Sequence, residues 1–264
     1  MVFATNGIVT KVTSYGNSDK LLWIITEEKG RIPVMAKGVK SPTSKLTALT
    51  GLFTYANFEI YKKNDAYWLK GGSIISSFYG LTRDISSLAL GTYLCDLANE
   101  LTDENYEGND ILRMLLNSLH FISEGKKSPK LIKGIFEFRA MCMSGYMPEM
   151  SSCCGCDTFE GELLYLDVAG GKIICPECLE KRNKRVPKIS KEFEYSHYVS
   201  ALCPISGSVL TALRYVAMSS FSKMFAFAIT DERELDSFSN VCETYLLEHL
   251  GQSFDSLTFY HSVK

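Results

Sequence analysis

The chain has 264 residues, of which 46% are hydrophobic and 22% charged, and its net charge at pH 7 is −2. This composition is typical of a soluble globular protein, and the length suits two domains better than one. The longest apolar run, residues 224–229, is too short to cross a bilayer, and the N-terminus lacks the basic and apolar segments of a secretory signal. We therefore expect a cytoplasmic protein without a membrane partner.

The charge is unevenly distributed along the chain. Residues 1–80 contain ten Lys or Arg and five acidic residues, a net charge of +5, and the remaining residues carry −7. A basic N-terminal domain favours a nucleic-acid partner. A solvated lysine-rich surface accounts for the same charges equally well, so both interpretations stay open.

Before residue 80 the sequence predicts five short strands. They cover residues 7–13, 20–26, 31–36, 54–61 and 66–74. Gly30 and residues 62–65 supply tight turns, so that consecutive strands fold back as hairpins. A polar, basic loop over residues 37–45 holds the breakers Gly38 and Pro42. This number of short strands within about 75 residues indicates a small closed barrel such as an OB-fold.

From Asp84 onward, the apolar residues recur with the period of a helix. The predicted helices cover residues 84–101, 109–125, 128–145, 208–219 and 231–251. Ser128 as N-cap, Pro129 at the first helical position and Gly145 as C-cap make the start and end of the third helix clear. The apolar stripes of these helices are interpreted as core.

Five of the nine cysteines lie within residues 150–181. Four of them form two CxxC pairs separated by eighteen residues, namely Cys153 with Cys156 and Cys175 with Cys178. Each pair can form a knuckle that presents two sulfurs to one ion, and two knuckles complete a tetrahedral Cys₄ zinc site. Residues 163–168 and 172–175 can pair as a hairpin that brings the knuckles together. We therefore predict one structural Zn²⁺ per chain, held by a zinc element at residues 150–181.

Two other interpretations of these cysteines are buried core thiols and a redox dithiol, which would need a thiolate of low pKa. Two CxxC pairs at this spacing favour zinc over both. Cys154 is not expected to be a ligand, because it lies too close to Cys156 for the usual knuckle. The sequence also lacks the phosphate-binding, zinc-protease and serine-hydrolase motifs, so we expect no catalytic residues and no enzyme.

The order of these elements and several short stretches resemble the RecO family of bacterial recombination mediators. The stretches are GIV (7–9), YGNSDK (15–20), TEEKGR (26–31), AKGVK (36–40), SK (44–45), FEFR (136–139), GYMP (145–148) before the first CxxC pair, and YLLEHLG (245–251). They occur in the family's order over nearly the whole chain. The chain departs from the family at Asp157, where glycine is usual, at the extra thiol of Cys154, and in the basic loop, which has Lys40 and Thr43 where the family often has more arginine.

The resemblance implies an α+β protein with an N-terminal OB-fold β-barrel at residues 1–80, followed by an all-α domain at residues 81–264 that carries the Cys₄ zinc hairpin. It implies a non-enzymatic mediator that binds single- and double-stranded DNA and anneals complementary strands. With RecR, such a protein helps to load RecA onto DNA coated by single-strand-binding protein, and it binds the acidic, hydrophobic C-terminal tail of that coating protein. Its place would be the cytoplasm, at the nucleoid.

The resemblance assigns contacts with the DNA backbone to six cations of the barrel: Lys11, Lys20, Arg31, Lys37, Lys40 and Lys45. Phosphate contacts by such side chains are independent of sequence and sensitive to salt. OB barrels commonly add aromatic stacking. Trp23, Tyr15 and Tyr67 are candidates for stacking, and a place in the barrel core is an equally good prediction for them.

A tail of that kind needs an apolar pocket rimmed by cations. The third predicted helix offers Lys130, Lys133 and Arg139, although the solvated face of an amphipathic helix is the favoured interpretation of these residues. The basic run at residues 181–185 either contacts DNA or solvates a linker. A different class of function also stays open, a protein-only adaptor of a repair complex that contacts DNA indirectly.

Overall fold

A computed structural model describes residues 1–41, 43–104, 109–185 and 201–264, with the side chain of Arg185 excepted. Pro42, one of the two breakers of the predicted basic loop, lies outside the described residues. The described residues form two compact units, the first comprising Met1–Pro129 with Phe254–Lys264 and the second Lys130–Ser253. The change from strands to helices near residue 80 therefore falls inside the first unit.

As predicted, five strands of the first unit form a closed barrel, and their order is β1-β2-β3-β5-β4. Their bounds are β1 Val2–Tyr15, β2 Asp19–Thr26, β3 Gly30–Ala36, β4 Tyr55–Lys63 and β5 Ala66–Ser76. Only β3 and β5 pair in parallel, and the other neighbours are antiparallel. Alternate residues of each strand face inward, and these fill the barrel with residues such as Leu22, Val34, Phe58, Ile60 and Leu69.

Strand β1 closes the barrel because it is long enough to pair with two neighbours. Residues 2–8 pair with β4 and residues 7–15 pair with β2. At Gly7, where the two ladders overlap, a Cβ atom would lie 2.8 Å from the carbonyl oxygen of Ile25, so only glycine fits there. The turn between β4 and β5 has two residues with positive φ, Asn64 at 49° and Asp65 at 57°, as a tight hairpin turn requires.

Three helices complete the first unit: α1 Ile85–Glu100, α2 Asn109–Glu124 and, near the C-terminus, α7 Asp255–Val263. Asp84 caps α1, because its side chain accepts a hydrogen bond from Ser87 N–H at 2.7 Å. A buried hydrogen bond of 2.6 Å from Thr10 Oγ1 to Asn99 Oδ1 joins β1 to α1. Helix α7 was not predicted from the sequence, and it packs against α1.

The second unit contains four helices and a three-stranded sheet. In chain order these are α3 Pro129–Met143, β6 Leu163–Asp167, β7 Lys172–Ile174, α4 Pro176–Arg185, β8 Leu202–Ser206, α5 Gly207–Met218 and α6 Glu232–Leu250. The predicted hairpin is β6–β7, and β8 extends it to the sheet order β7-β6-β8. The hairpin between the two cysteine pairs thus has a third strand that was not predicted. The rest of the regular structure in the second unit is helical. Among the described residues, every helix is too short or too polar to cross a membrane.

Candidate metal centre and nucleic-acid interface

The structure brings the four predicted ligands together. The sulfurs of Cys153, Cys156, Cys175 and Cys178 all lie within 4.8 Å of one another, and the Sγ atoms of Cys156 and Cys175 are 3.6 Å apart. A tetrahedral zinc ion with bonds of about 2.3 Å holds its sulfurs about 3.8 Å apart. The four sulfurs therefore fit one metal ion. Cys154, which was not expected to be a ligand, stands outside the group and is exposed.

Backbone contacts hold the first knuckle over the end of β7. The amide of Cys154 donates to the carbonyl of Ile173 at 2.9 Å, and the sulfur of Cys153 accepts from the amides of Gly155 at 3.4 Å and Cys175 at 3.2 Å. Such N–H···S contacts orient a sulfur and stabilise its thiolate. A Cβ atom on Gly155 would lie 2.9 Å from the sulfur of Cys178, so this position has room only for glycine.

The thiols of the chain differ in how readily they ionise. Hydrogen bonds with Thr158 lower the pKa of Cys156 to about 6, so that this sulfur can supply a thiolate at neutral pH. Burial has the opposite effect outside the cluster: it raises the pKa of Cys142 to about 11, and that of Cys95 and Cys242 well above its usual range. Cys95 and Cys242 are core residues, and Cys142 is half-buried.

Arg214 of α5 fastens the first knuckle to the rest of the second unit. Its guanidinium donates to the carbonyls of Met150 at 2.8 Å, Ser151 at 2.9 Å and Phe159 at 3.1 Å, and it lies 4.3 Å from the centroid of the Phe159 ring. The two ends of the knuckle loop are thus tied to one side chain. Sequence reasoning missed Arg214 because it follows its partners by 55 to 64 residues and belongs to no motif.

Two of the six predicted DNA contacts, Lys11 on β1 and Arg31 on β3, lie on the outer surface of the barrel, and a third, Lys37, directly follows β3. Lys11 is exposed and pairs in register with Trp23. The guanidinium of Arg31 lies 5.3 Å from the centroid of the Trp23 ring and 3.8 Å from Asp103 Oδ1. Lys37 is exposed, with its ammonium 4.4 Å from the centroid of the Trp68 ring.

Of the other three predicted contacts, Lys20 lies at the start of β2, and Lys40 and Lys45 lie in the basic loop after β3. The ammonium of Lys40 donates to the carbonyl of Gly16 at 2.9 Å, and that of Lys20 donates to Thr50 Oγ1 at 3.2 Å. Lys45 is exposed. The carboxylate of Asp19 accepts from the Gly38 amide at 2.8 Å, and the hydrogen bonds from Gly38 and Ser18 lower its pKa. The basic loop is therefore attached to the β1–β2 turn.

The aromatic candidates separate into core and surface. Tyr67 faces inward with 5% exposure, and its hydroxyl donates to Glu104 Oε1 at 2.9 Å, so the core interpretation applies to it. Tyr15 is 58% exposed, and Trp23 is half-buried on the outer surface. Sequence reasoning missed Trp68 and its cross-strand partner Tyr61, whose rings are stacked with centroids 6.2 Å apart. Strand alternation could have placed Trp68 outside, since Tyr67 and Leu69 face the core.

The three cations assigned to a partner tail are engaged inside the second unit. Lys130 pairs with Asp236 and lies 3.7 Å from Glu232. Lys133 is only 1% exposed and pairs with Glu137 at 2.9 Å and Glu243 at 2.6 Å. Because it is buried, Lys133 neither reaches a partner from solvent nor belongs to a solvated helix face.

Arg139 is also used internally. Its guanidinium donates to the carbonyls of Val216 at 3.1 Å and Ala217, and it lies 5.2 Å from the centroid of the Phe221 ring.

The basic run at residues 181–185 forms the last half of α4, directly after the second knuckle. Arg182 pairs with Asp167 at 3.0 Å, Lys184 lies 3.8 Å from Glu180, and Lys181 is exposed. The side chain of Arg185 lies outside the described residues. The run is therefore part of a helix, and Asp167 and Glu180 of the same unit offset part of its positive charge.

Together these features define a class of protein: an OB-barrel protein whose helical part carries a small sheet with four clustered cysteines that could hold a metal ion. The family model described as "Recombination protein O N terminal" matches residues 1–78, and the one described as "Recombination protein O C terminal" matches residues 82–201. The chain belongs to the RecO family of DNA repair and recombination proteins, as the resemblance implied.

Relatives from several bacteria agree with this membership. The DNA repair protein RecO of Acetivibrio thermocellus is 31% identical over 255 residues, which cover 97% of this chain and 94% of that protein. The DNA repair protein RecO of Halalkalibacterium halodurans is 32% identical over 69% of this chain and 70% of its own length. That of Listeria monocytogenes serotype 4b is 34% identical over 68% of this chain and 70% of its own length.

Proposed function

We propose that the protein is a non-enzymatic recombination mediator that binds single- and double-stranded DNA through its barrel. In this proposal it anneals complementary strands and, together with RecR, helps to load RecA onto DNA coated by single-strand-binding protein. It acts where the chromosome is, in the cytoplasm. Family membership supports the repair role, and the cations on the barrel surface support direct contact with DNA.

One observation carries the DNA-binding part of the proposal. Lys11 and Arg31 lie on β1 and β3, which both pair with β2, and Lys37 directly follows β3. Arg31 and Lys37 lie over tryptophan rings. Cations on a barrel surface attract a polyanion and release its counterions, which yields affinity without sequence preference. A lysine-rich surface that only kept the protein soluble would need no such placement beside aromatic rings.

We propose that the metal is zinc, one ion per chain, and that its role is structural. Four cysteine sulfurs are the donor set that structural zinc sites use. With four protein ligands, the ion has no open position for a substrate. It would join the knuckle before β6 to the knuckle at the start of α4, and so hold the β7-β6-β8 sheet in register with both.

The tail of single-strand-binding protein remains a proposed partner on the strength of the family alone. Of the cations predicted for it, Lys130 lies beside two acids, Lys133 is buried, and Arg139 donates to backbone carbonyls. We therefore assign the tail contact to no residue of α3.

Reversing two charges of the basic loop tests the DNA contact. We expect Lys37→Glu with Lys40→Glu to weaken binding of a labelled single-stranded oligonucleotide by about 10- to 100-fold at low salt. Loss of two phosphate contacts should also reduce the slope of log affinity against log salt by about 1.4, since each contact on a single strand contributes about 0.7. Fluorescence anisotropy at several salt concentrations measures both quantities.

A matched control changes the net charge equally at other positions. Lys126→Glu with Lys223→Glu reverses two exposed lysines that lie outside the barrel, and we expect the salt slope to stay unchanged. Equal effects of the two double variants would mean that only the overall charge matters. Absence of DNA binding by the folded wild-type protein at low salt would instead favour the protein-only adaptor.

A further inference from the structure

We infer that the two tryptophans of the chain form a platform on the outside of the barrel, on which bases of single-stranded DNA stack. The inference rests on the proposed function and deepens it, since it names how the protein would distinguish single strands from duplex. Trp23 lies on β2 and Trp68 on β5, and both are partly exposed. The chain has no other tryptophan.

Strand register places the platform in one continuous surface. Opposite residues of paired strands point to the same side of a sheet. The register runs from Leu21 to Met35 and on to Trp68 and Tyr61, across β2, β3, β5 and β4. All four side chains are partly exposed. Trp23 lies on the same outer side of β2, two residues along the strand from Leu21.

The barrel does not need either ring for its core. The neighbours of these residues along the strands, Leu22 and Ile24 on β2 and Tyr67 and Leu69 on β5, fill the interior. The indole rings instead add apolar area to a surface that water reaches. Aligned apolar side chains on an exposed sheet face are typical of a binding surface.

The charges on this surface indicate which kind of ligand binds there. Lys37 lies over Trp68, Arg31 lies over Trp23, and Lys11 is exposed beside Trp23 in the register. Among the described acids, Asp103 lies 3.8 Å from Arg31, and Asp19 interacts electrostatically with Lys37. A ligand that offers flat rings together with closely spaced negative charges fits such an arrangement, and a nucleic-acid strand offers both.

Single strands fit better than duplex for a physical reason. In duplex DNA both faces of each base are already stacked, so an indole can gain a base only by unstacking the helix. In a single strand the bases are free to stack on protein rings, and this stacking exceeds an exposed cation–π contact in strength. A base arriving on Trp68 would therefore displace the ammonium of Lys37, which would move to a neighbouring phosphate.

The location of both tryptophans on one surface makes the test direct. Wild-type protein is titrated with unlabelled oligo-dT of about 15 nucleotides, within the site size of an OB-fold, while tryptophan emission is recorded. Anisotropy of a labelled copy of the same oligonucleotide is measured in parallel. We expect emission to fall along the same saturation curve as the anisotropy. Saturable anisotropy with unchanged emission would overturn the platform and leave the proposed DNA binding intact, whereas absence of both signals would overturn both.

Three variants separate stacking from folding. We expect Trp68→Leu, which keeps an apolar side chain but removes the aromatic face, to weaken oligo-dT binding about tenfold. Trp68→Phe keeps an aromatic face and should retain most of the affinity. Tyr79→Ala removes an aromatic ring that is 79% exposed and lies after β5, outside the platform, and it should leave the affinity unchanged. Equal affinities of the Leu and Phe variants would contradict stacking, because both lose the indole but only one loses the ring.

Discussion

Replacing Cys156 with serine is expected to abolish stoichiometric zinc binding and to lower the melting temperature of the protein. The sulfur of Cys156 is one of four that converge within 4.8 Å, and a structural zinc ion bound by three cysteines loses most of its affinity. Binding of zinc to such sites is worth about 10–16 kcal/mol in small zinc-binding peptides, so its loss should cost several kcal/mol here. Metal content of the purified protein and a thermal melt measure the two effects.

The chain supplies a closely matched control two residues away. Cys154 is exposed like Cys156, but its sulfur lies outside the cluster. Cys154→Ser should therefore keep both the zinc and the melting temperature. A strong chelator should lower the melting temperature of the wild type and of Cys154→Ser and leave Cys156→Ser unchanged. If the two serine variants bind the same amount of metal, the four-cysteine assignment is wrong.

Replacing Lys133 with methionine is expected to destabilise the second unit by about 3–5 kcal/mol. Lys133 is 1% exposed, and its ammonium lies 2.9 Å from Glu137, which is also buried, and 2.6 Å from Glu243. Methionine fills a similar volume, so the cost comes mainly from the carboxylate of Glu137, which would remain buried without its cation. Urea unfolding followed by circular dichroism measures the change in the free energy of unfolding.

The same substitution one helical turn earlier is the control. Lys130 pairs with Asp236 on α6, but its side chain is 35% exposed, and exposed ion pairs contribute about 0–1 kcal/mol. Lys130→Met should thus cost far less than Lys133→Met. Adding Glu137→Gln to Lys133→Met removes the buried carboxylate charge that faced Lys133 and should recover part of the lost stability. If Lys130→Met and Lys133→Met lower the free energy of unfolding by similar amounts, the charge of the buried lysine does not contribute to stability.

The charge of Lys133 also predicts the pH range over which its ion pairs stabilise the fold. Burial disfavours the ammonium, but the attraction of Glu137 and Glu243 outweighs it and raises the pKa of Lys133 above its ordinary value of 10.5. A group whose pKa is higher in the folded protein stabilises the fold below its unfolded pKa. This contribution is therefore constant up to about pH 10 and is lost as the pH rises through the folded pKa. Lys133→Met should lack this alkaline component of unfolding.

Features that depend on neighbouring residues could be predicted from the sequence. The Asp231 side chain accepts from the amides of Arg233 at 2.8 Å and Glu234 at 3.0 Å, and Gly251 takes the left-handed conformation that ends α6. The geometry of each CxxC knuckle could likewise be predicted from the local sequence, because a knuckle needs only four consecutive residues. Strand alternation in residues 1–80 was enough to predict the barrel, although β1 extends further at both ends than its apolar run indicates.

The sequence by itself determined the barrel, the limits of α1, α2, α3, α5 and α6, and the convergence of the four cysteines, since local hydrogen bonds and short spacing specify these features. Only the tertiary structure decided which charged side chains are free to bind a partner and which are engaged inside the fold. Lys133 looks in sequence like any lysine on an amphipathic helix, and only packing shows it enclosed with Glu137 and Glu243. The same holds for Arg214, which finds its carbonyl partners 55 to 64 residues away. The desolvation of a charge depends on residues distant in sequence, and no local pattern records their approach.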